Sequence, residues 1–425
     1  MLPGRVEIIA VGSELLGSHF LDTNSLYLTA RLKELGWTVA FKTIVGDRLN
    51  DLRLRLGQAL RRTDLVMVTG GLGPTRDDIT TPTVARTLGR KRRLDKNVLG
   101  AIENRLCSRG IPLSAANRKQ AYVVEGAKVL PNRSGTAPGQ WLNTRGKQVI
   151  LLPGPPHELK TICEDNVWPV LMRRRRGFFV RGILKTTGLP ESMVETRIAD
   201  LYPKSADLGV TVLASPGQIE IHVEAFSVVS PIQAARKLQR LKFRLLRRLK
   251  DSAFSQTGET LEEVVGNLLR KLKKTLAVAE SCSGGLIGHR LTNVPGSSEY
   301  FLEGVIAYHN AAKIDLLCVP AKTIERHGAV SPQTAQAMAR GIRKRARSDF
   351  GLAVTGIAGP SGGTPEKPIG LVFVALAWRG GTTVQENLFL GTRDRIKIQS
   401  AQTALDVLRR RLLLEVRGAK RSKKR

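Results

Sequence analysis

The stretch TLAVAESCSGGLIGHRL, residues 275–291, holds a strand, a tight turn and a helix start, and the fold of the chain is read from it. Its first half is a short apolar run, the pattern of a strand buried on both faces. Gly284 and Gly285 then give the backbone conformations that other residues resist, and LIGHRL resumes with helical character. Strand, glycine turn and helix in succession form the repeating unit of a sheet layered between helices. Ligands of such sheets bind beyond the carboxyl ends of the strands. Ser281 falls at that place.

Working outward, Thr260 opens a helix with Glu262 and Glu263 in its first turn, where the helix dipole favours negative charge. Downstream come the strand-like YFLEGVIAYHN (300–310), a helix over 331–345 and FGLAVTGIAGPSGG (350–363). LVFVALAW (371–378), TTVQENLFL (382–390) and a final helix from Arg393 follow. The N-terminal part alternates in the same way: VEIIAVG (6–12), a helix over 24–35, TVAFKTIVGD (38–47), a helix over 49–62, DLVMVTGG (64–71), then VILLPGPPHELK (149–160). This predicts a parallel sheet with helices on both faces, ending near the arginine run that starts at Arg173. Between the two lies a different texture: a helix over 191–201, strands around 209–214 and 218–225, and a long basic helix from Pro231. The fold class is therefore α/β, two three-layer α/β domains joined by a small α+β domain.

The 425 residues suffice for two to four domains with their own cores, and 42% apolar content suits a globular chain. The four cysteines, Cys107, Cys163, Cys282 and Cys318, show no CxxC pair and no zinc-ligand spacing, as expected in a reducing compartment. The N-terminus lacks a secretory pattern, and no apolar run reaches the ~18 residues of a membrane span, so a cytoplasmic location and no membrane partner are expected. The net charge of +32 is concentrated in residues 173–176, in the helix over 233–250 and in the terminal GAKRSKKR. None of these runs is interleaved with aromatics as a base-stacking platform would be. The charge reads as solvated, arginine-rich surface with nonspecific attraction for nucleic acid.

Ser281 stands before two glycines that admit a substrate close to the backbone, and the first helical turn offers N–H groups for an oxyanion or phosphate. A serine in this position is more often a helix cap, a role open to Ser281 or Ser283. A serine nucleophile needs a base, and AYHNAAKIDLL supplies Tyr308 and Lys313, although a helical lysine is more often a surface charge. TGIAGPSGG (355–363) is suited to cradling phosphate, and Arg395 of GTRDR to forking an anion. In GGLGPTRDDIT (70–80), Asp77 and Asp78 offer hard oxygen ligands to a divalent cation, and serve equally as caps for the helix near Thr80.

AESCSGG, the spaced Tyr308 and Lys313, TGIAGPSGG and GTRDR together resemble the C-terminal, nicotinamide-nucleotide amidohydrolase domain of the CinA family, over residues 260–417. The resemblance implies hydrolysis of nicotinamide mononucleotide without a cofactor, with Ser281 as nucleophile and Lys313 with Tyr308 handling protons. It also implies substrate contacts from Ser283, Gly284, Thr355, Gly356 and Arg395. VGSELLGSHFLDTNS (11–25), VGD (45–47), GGLGPTRDDIT, NRSGTAPG (132–139) and LLPGPPHEL (151–159) resemble the family's molybdopterin-binding-like domain over 6–173. That implies hydrolysis of ADP-ribose with a divalent metal cation, Asp47, Asp77 and Asp78 serving the metal and Glu14, Asn24, Gly71 and Gly73 the substrate. This chain has Ser13 where the family often has aspartate or threonine. The middle resembles a KH-like linker. The expected domains are 1–175, 176–257 and 258–418 with a basic tail at 419–425, and the family implies a homodimer. A molybdopterin-type binding protein and a nucleic-acid-associated protein are the competing readings.

Overall fold

The computed structural model describes residues 4–173 and 177–422, the side chains of 419–422 excepted. The arginine run beyond Arg173 and the last residues of the basic tail lie outside the described residues. Contacts divide the chain into two units, one of residues up to 180 with 225–236, the other of 181–224 with 237 onward.

The first unit is built on β1 (Arg5–Val11), β2 (Thr38–Val45) and β3 (Leu65–Thr69), with β4 (Arg92–Leu94) and β5 (Tyr122–Val124) forming a separate pair. β6 (Lys128–Leu130), β7 (Gly139–Thr144) and β8 (Lys147–Leu152) complete a six-stranded sheet of order β2-β1-β3-β8-β7-β6. Alternation along the strands splits its side chains between two cores. Val6, Ile8, Leu65, Met67, Ile150 and Leu152 meet Leu28, Leu32, Leu159 and Ile162 on one face. Ile9, Val11, Val66, Val68, Val149 and Leu151 meet Leu52, Leu56 and Val84 on the other. The helix Leu49–Arg62 occupies the span expected from its periodicity.

β9 (Phe178–Thr187), β10 (Leu208–Ser215), β11 (Gln218–Ser227) and β12 (Ala253–Ser255) form a four-stranded sheet of order β10-β11-β9-β12, accompanied by the helices Glu191–Ile198 and Pro231–Leu249. Beyond it, Thr260 caps the helix Leu261–Leu272 through a capping box with Glu263. β13 (Leu276–Glu280), β14 (Phe301–Ile306), β15 (Phe350–Gly356), β16 (Leu371–Trp378) and β17 (Gly381–Leu388) make a sheet of order β14-β13-β15-β16-β17. Large side chains from Leu276, Val278, Leu352, Val354, Val372 and Val374 pack one face against the helices Leu261–Leu272 and Arg393–Ser422. The other face is lined with Ala277, Ala279, Ala353, Ala375 and Ala377, so the helix Pro332–Arg345 lies close upon it. The final helix continues to Ser422, into the stretch expected as a tail.

The N-terminal sheet departs from the expected parallel arrangement at one edge, and the C-terminal sheet is likewise mixed. β7 and β8 pair antiparallel, as do β16 and β17. Arg145 and Gly146, at φ of 45° and 75°, join β7 to β8 in two residues, a connection that permits only a hairpin. No helix among the described residues is long and apolar enough to cross a membrane.

The close helix contact sets a stability test. A Cβ on Gly351 would lie 2.1 Å from the carbonyl oxygen of Ala339, whereas one on Gly100 meets nothing within 4 Å. Gly351→Ala should cost about 1–3 kcal/mol by overpacking, and Gly100→Ala, inside the helix Lys96–Cys107, should gain about 0.5–1 kcal/mol. Thermal melting that shifts both variants in the same direction contradicts this packing.

Candidate functional site

In the C-terminal half, β13 is wholly buried and ends at Glu280. The amide of Ser281 donates to Val354 O at 3.0 Å, which docks the turn on β15. Gly284 (φ 61°) and Gly285 (φ 90°) then reverse the chain into the helix Leu286–Thr292. The cap position of that helix is Gly285, without a side-chain bond, so neither Ser281 nor Ser283 is used as a cap. Both serines are buried, and the hydroxyl of Ser283 has no partner among the described residues.

The expected anion site at the first helical turn is corrected by the structure. The buried carboxylate of Glu280 accepts from Ile287 N at 3.1 Å and Gly288 N at 2.8 Å, so those amides are satisfied from within the chain. The amides left without a protein acceptor among the described residues are those of the loop itself, Cys282, Ser283 and Gly285. An oxyanion over Ser281 would therefore be met by the loop and not by the helix.

The carbonyl of Glu280 also accepts from Ala307 N at 2.8 Å, which ties the segment leading to Tyr308 and Lys313 against the serine turn. Lys313 lies on the helix Asn310–Leu317, is 1% exposed, and donates from Nζ to the carbonyls of Ala307 and Tyr308, each at 2.9 Å. Burial lowers its pKa, opposed in part by the neighbouring Cys282. The thiol of Cys282 is itself pushed up to about 12 by burial and is no competing nucleophile.

Among the described residues, the two expected proton carriers meet through the backbone carbonyl of Tyr308 and not hydroxyl to amine. Tyr308 is 59% exposed, and its hydroxyl accepts from Arg393 Nη2 at 2.9 Å, while Arg393 Nη1 donates to Gly359 O at 2.6 Å. Arg393 thus spans from Tyr308 to the TGIAGPSGG loop. Arg395, the arginine expected there, lies against Gly391 with its Cδ 3.1 Å from where a Cβ would stand. Thr355 Oγ1 donates to Ala329 O at 2.8 Å, and a Cβ on Gly356 would meet Val372 at 2.6 Å, so both residues hold the fold locally. Lys397, one turn past Arg393, brings Nζ to 3.6 Å from the Cβ position of Gly284. Glu280, Arg393 and Lys397 were not expected. The i, i+4 spacing of Arg393 and Lys397 was the available signal for the last two.

In the N-terminal half, a cavity of about 520 Å³ opens at the carboxyl ends of β1, β3 and β8 and is lined by Glu14, Asp47, Gly71, Gly73, Asp77 and Asp78. Asn24 stands behind it, its Nδ2 donating to Gly154 O at 2.7 Å, and its Oδ1 is buried without a partner among the described residues. Ser13 and Asp47 bond reciprocally: Ser13 N donates to Asp47 Oδ2 at 2.8 Å, and Asp47 N donates to Ser13 Oγ at 3.1 Å. Asp78 Oδ2 accepts from both the amide (2.8 Å) and the hydroxyl (2.7 Å) of Thr75, which closes its own loop. Gly71 (φ 66°) is demanded by the chain, since a Cβ there would meet Thr80 Oγ1 at 2.4 Å.

Among the described residues no three acidic, histidine or cysteine side chains converge tightly enough to cage a metal. Asp47, Asp77 and Asp78 share a cavity without forming a common ligand set, because Asp78 is committed to Thr75 and Asp47 to Ser13. One oxygen each of Asp47 and Asp78 and the Asp77 carboxylate remain. That donor set fits a hard cation shared with a phosphate, not one held by protein alone. Glu158, which accepts from Asn132 Nδ2 at 2.5 Å, also lines the cavity and was missed. Beside it, a more apolar pocket of about 400 Å³ between Val98, Ile102, Val129 and Pro138 shares Thr136 with the acidic cavity.

Residues 258–412 match the family described as the CinA C-terminal domain, and residues 7–173 match the "Probable molybdopterin binding domain". A CinA-like protein of Solibacter usitatus is 44% identical over 96% of this chain and 98% of its own length. One of Acidobacterium capsulatum is 45% identical over 96% and 99%. A solved competence/damage inducible protein from Agrobacterium tumefaciens is 41% identical, covering 36% of this chain and 96% of its own, with a TM-score of 0.34.

The lowered pKa of Lys313 has a definite sign. In the unfolded chain the amine holds its proton up to about pH 10.4. In the folded chain the proton leaves at lower pH, so between the two values the unfolded state binds more protons and stability rises with pH. The stability of Lys313→Met relative to the native chain should therefore fall as pH is raised from neutrality towards 10. Denaturant melts at several pH values that show a constant difference contradict it.

Proposed function

The chain belongs to the CinA family, and on that premise we propose that its C-terminal half hydrolyses nicotinamide mononucleotide to nicotinic acid mononucleotide and ammonia through Ser281. The observation that carries this reading is Lys313: an amine buried beside the serine turn, with its proton loosened by desolvation. A neutral amine has two N–H bonds, and the carbonyls of Ala307 and Tyr308 match both. The lone pair is left to take the proton of the Ser281 hydroxyl.

The Ser281 oxygen bonds to the carboxamide carbon, and the carbonyl electrons move to an oxyanion met by the amides of Cys282, Ser283 and Gly285. Collapse breaks the C–N bond as Lys313 returns the proton to nitrogen, and ammonia leaves. Water, deprotonated by the same amine, then cleaves the ester and restores the serine. Arg393 and Lys397 present positive charge to the substrate phosphate, and Tyr308 is oriented by Arg393.

For the N-terminal half we propose divalent-metal-dependent hydrolysis of ADP-ribose to AMP and ribose phosphate. Asp77 and the free oxygens of Asp47 and Asp78 would hold a divalent cation, which would supply charge neutralisation for the diphosphate. The glycine loop at 70–73 lets a diphosphate lie along the backbone, and the neighbouring apolar pocket suits a purine ring.

Product assays on the purified chain with both nucleotides, with and without chelator, test the two reactions together. Ser281→Ala should lose ammonia release by about a thousandfold or more while still cleaving ADP-ribose, and chelator should silence only the ADP-ribose reaction. Full deamidation by Ser281→Ala removes the proposed nucleophile. Between the two arginines of GTRDR, Arg393→Gln should lower kcat/KM for nicotinamide mononucleotide about 10- to 100-fold, with Arg395→Gln close to native. The reverse order would return the anion-binding role to Arg395.

A further inference from the structure

Outside both sites, a cleft of about 430 Å³ lies between the segment 200–208 and the later turns of the helix Pro231–Leu249. Leu201, Leu208 and Leu241 supply apolar lining, and Tyr202, Lys204, Arg240 and Arg244 supply ring and charge. Of the carboxylates nearby, Asp200 pairs with Arg248 at 2.6 Å and Asp207 with Lys237 at 2.5 Å, while Glu195 is held by the Tyr202 hydroxyl. Lys204, Arg240 and Arg244 form no ion pair among the described residues, so the cleft carries three unmatched positive charges. Tyr202 is 38% exposed, and its hydroxyl is fixed on Glu195 at 2.9 and 3.0 Å, which restrains the ring. Beyond the cleft, Phe243 is 62% exposed and Arg247 continues the same helix.

A restrained aromatic ring over an apolar floor, bordered by arginines with free forks, matches the needs of a base and its phosphate. We propose that this cleft binds single-stranded nucleic acid, one base lying against Tyr202 and its phosphates on Lys204, Arg240 and Arg244, with the strand continuing past Phe243 and Arg247. A recess of this size takes an unstacked base and has no room for a duplex groove. An anionic lipid surface is the poorer match, because Leu238, Leu241, Leu245 and Leu249 are buried and Phe243 is the large apolar side chain left exposed on 237–249. The linear sequence hides the arrangement, since the ring comes from a segment far upstream of the arginines.

Fluorescence anisotropy with the full chain and a labelled single strand of about twelve nucleotides, compared with its duplex, tests the proposal. Single strand should bind more tightly than duplex, and Tyr202→Leu should weaken it about tenfold, while Tyr202→Phe, which keeps the ring and loses the restraint from Glu195, should weaken it less than Tyr202→Leu. Arg240→Ser with Arg244→Ser should flatten the dependence of log affinity on log salt by about 1.4. Ammonia release stays unchanged in all of these variants, which shows that they are folded. Equal affinity for duplex, indifference to Tyr202→Leu, displacement of the strand by free AMP at equal nucleotide concentration, or preferential capture by anionic phospholipid vesicles would each overturn it.

Discussion

Glu280 is the joint on which the C-terminal site hangs. Its carboxylate sits on the amides of Ile287 and Gly288, and its carbonyl sits on the amide of Ala307. One buried residue therefore fixes the helix after the serine turn and the segment that delivers Lys313. A buried carboxylate is costly unless its oxygens are met, and here two helix amides meet them. The consequence is a division of labour: the helix dipole is spent on structure, and the unpaired loop amides are what remains for chemistry.

The N-terminal site follows the same economy of hydrogen bonds. Asp78 closes the glycine loop through Thr75, and Asp47 holds the strand-end turn through Ser13. Both carboxylates shape the cavity before any substrate enters it. What is left over, Asp77 and one oxygen each of Asp47 and Asp78, is the hard oxygen donor set of this cavity. Ser13 is a working member of this turn, since its amide and hydroxyl both bond Asp47.

Much of the fold was legible from periodicity: the helix over 49–62, the helix capped by Thr260 and the alternating strands around Ser281 all fall where the residues place them. The antiparallel edges were not, because Arg145–Gly146 is a hairpin turn only once Arg145 adopts a positive φ that its identity does not announce. In the site, Ser281 and Lys313 stand out as residue types at suggestive spacing. Glu280 does not, since a glutamate at a strand end gains meaning only when the helix folds back over it. The choice between Arg393 and Arg395 depends on helix phase at the first turn of Arg393–Ser422, where sequence offers no register. Tyr202 and the basic helix illustrate the same limit, for their association exists only in the folded chain.

The chemistry proposed for Ser281 requires Lys313 to give up its proton, and burial is what loosens it. The most direct test is a pH titration of the Lys313 side-chain nitrogen by nuclear magnetic resonance in the intact chain, assigned by its disappearance in Lys313→Met. The midpoint should lie below the ordinary lysine value of about 10.4, far enough that neutral amine is present at the pH where ammonia is released. An amine that stays fully protonated at that pH would rule Lys313 out as the acceptor of the serine proton.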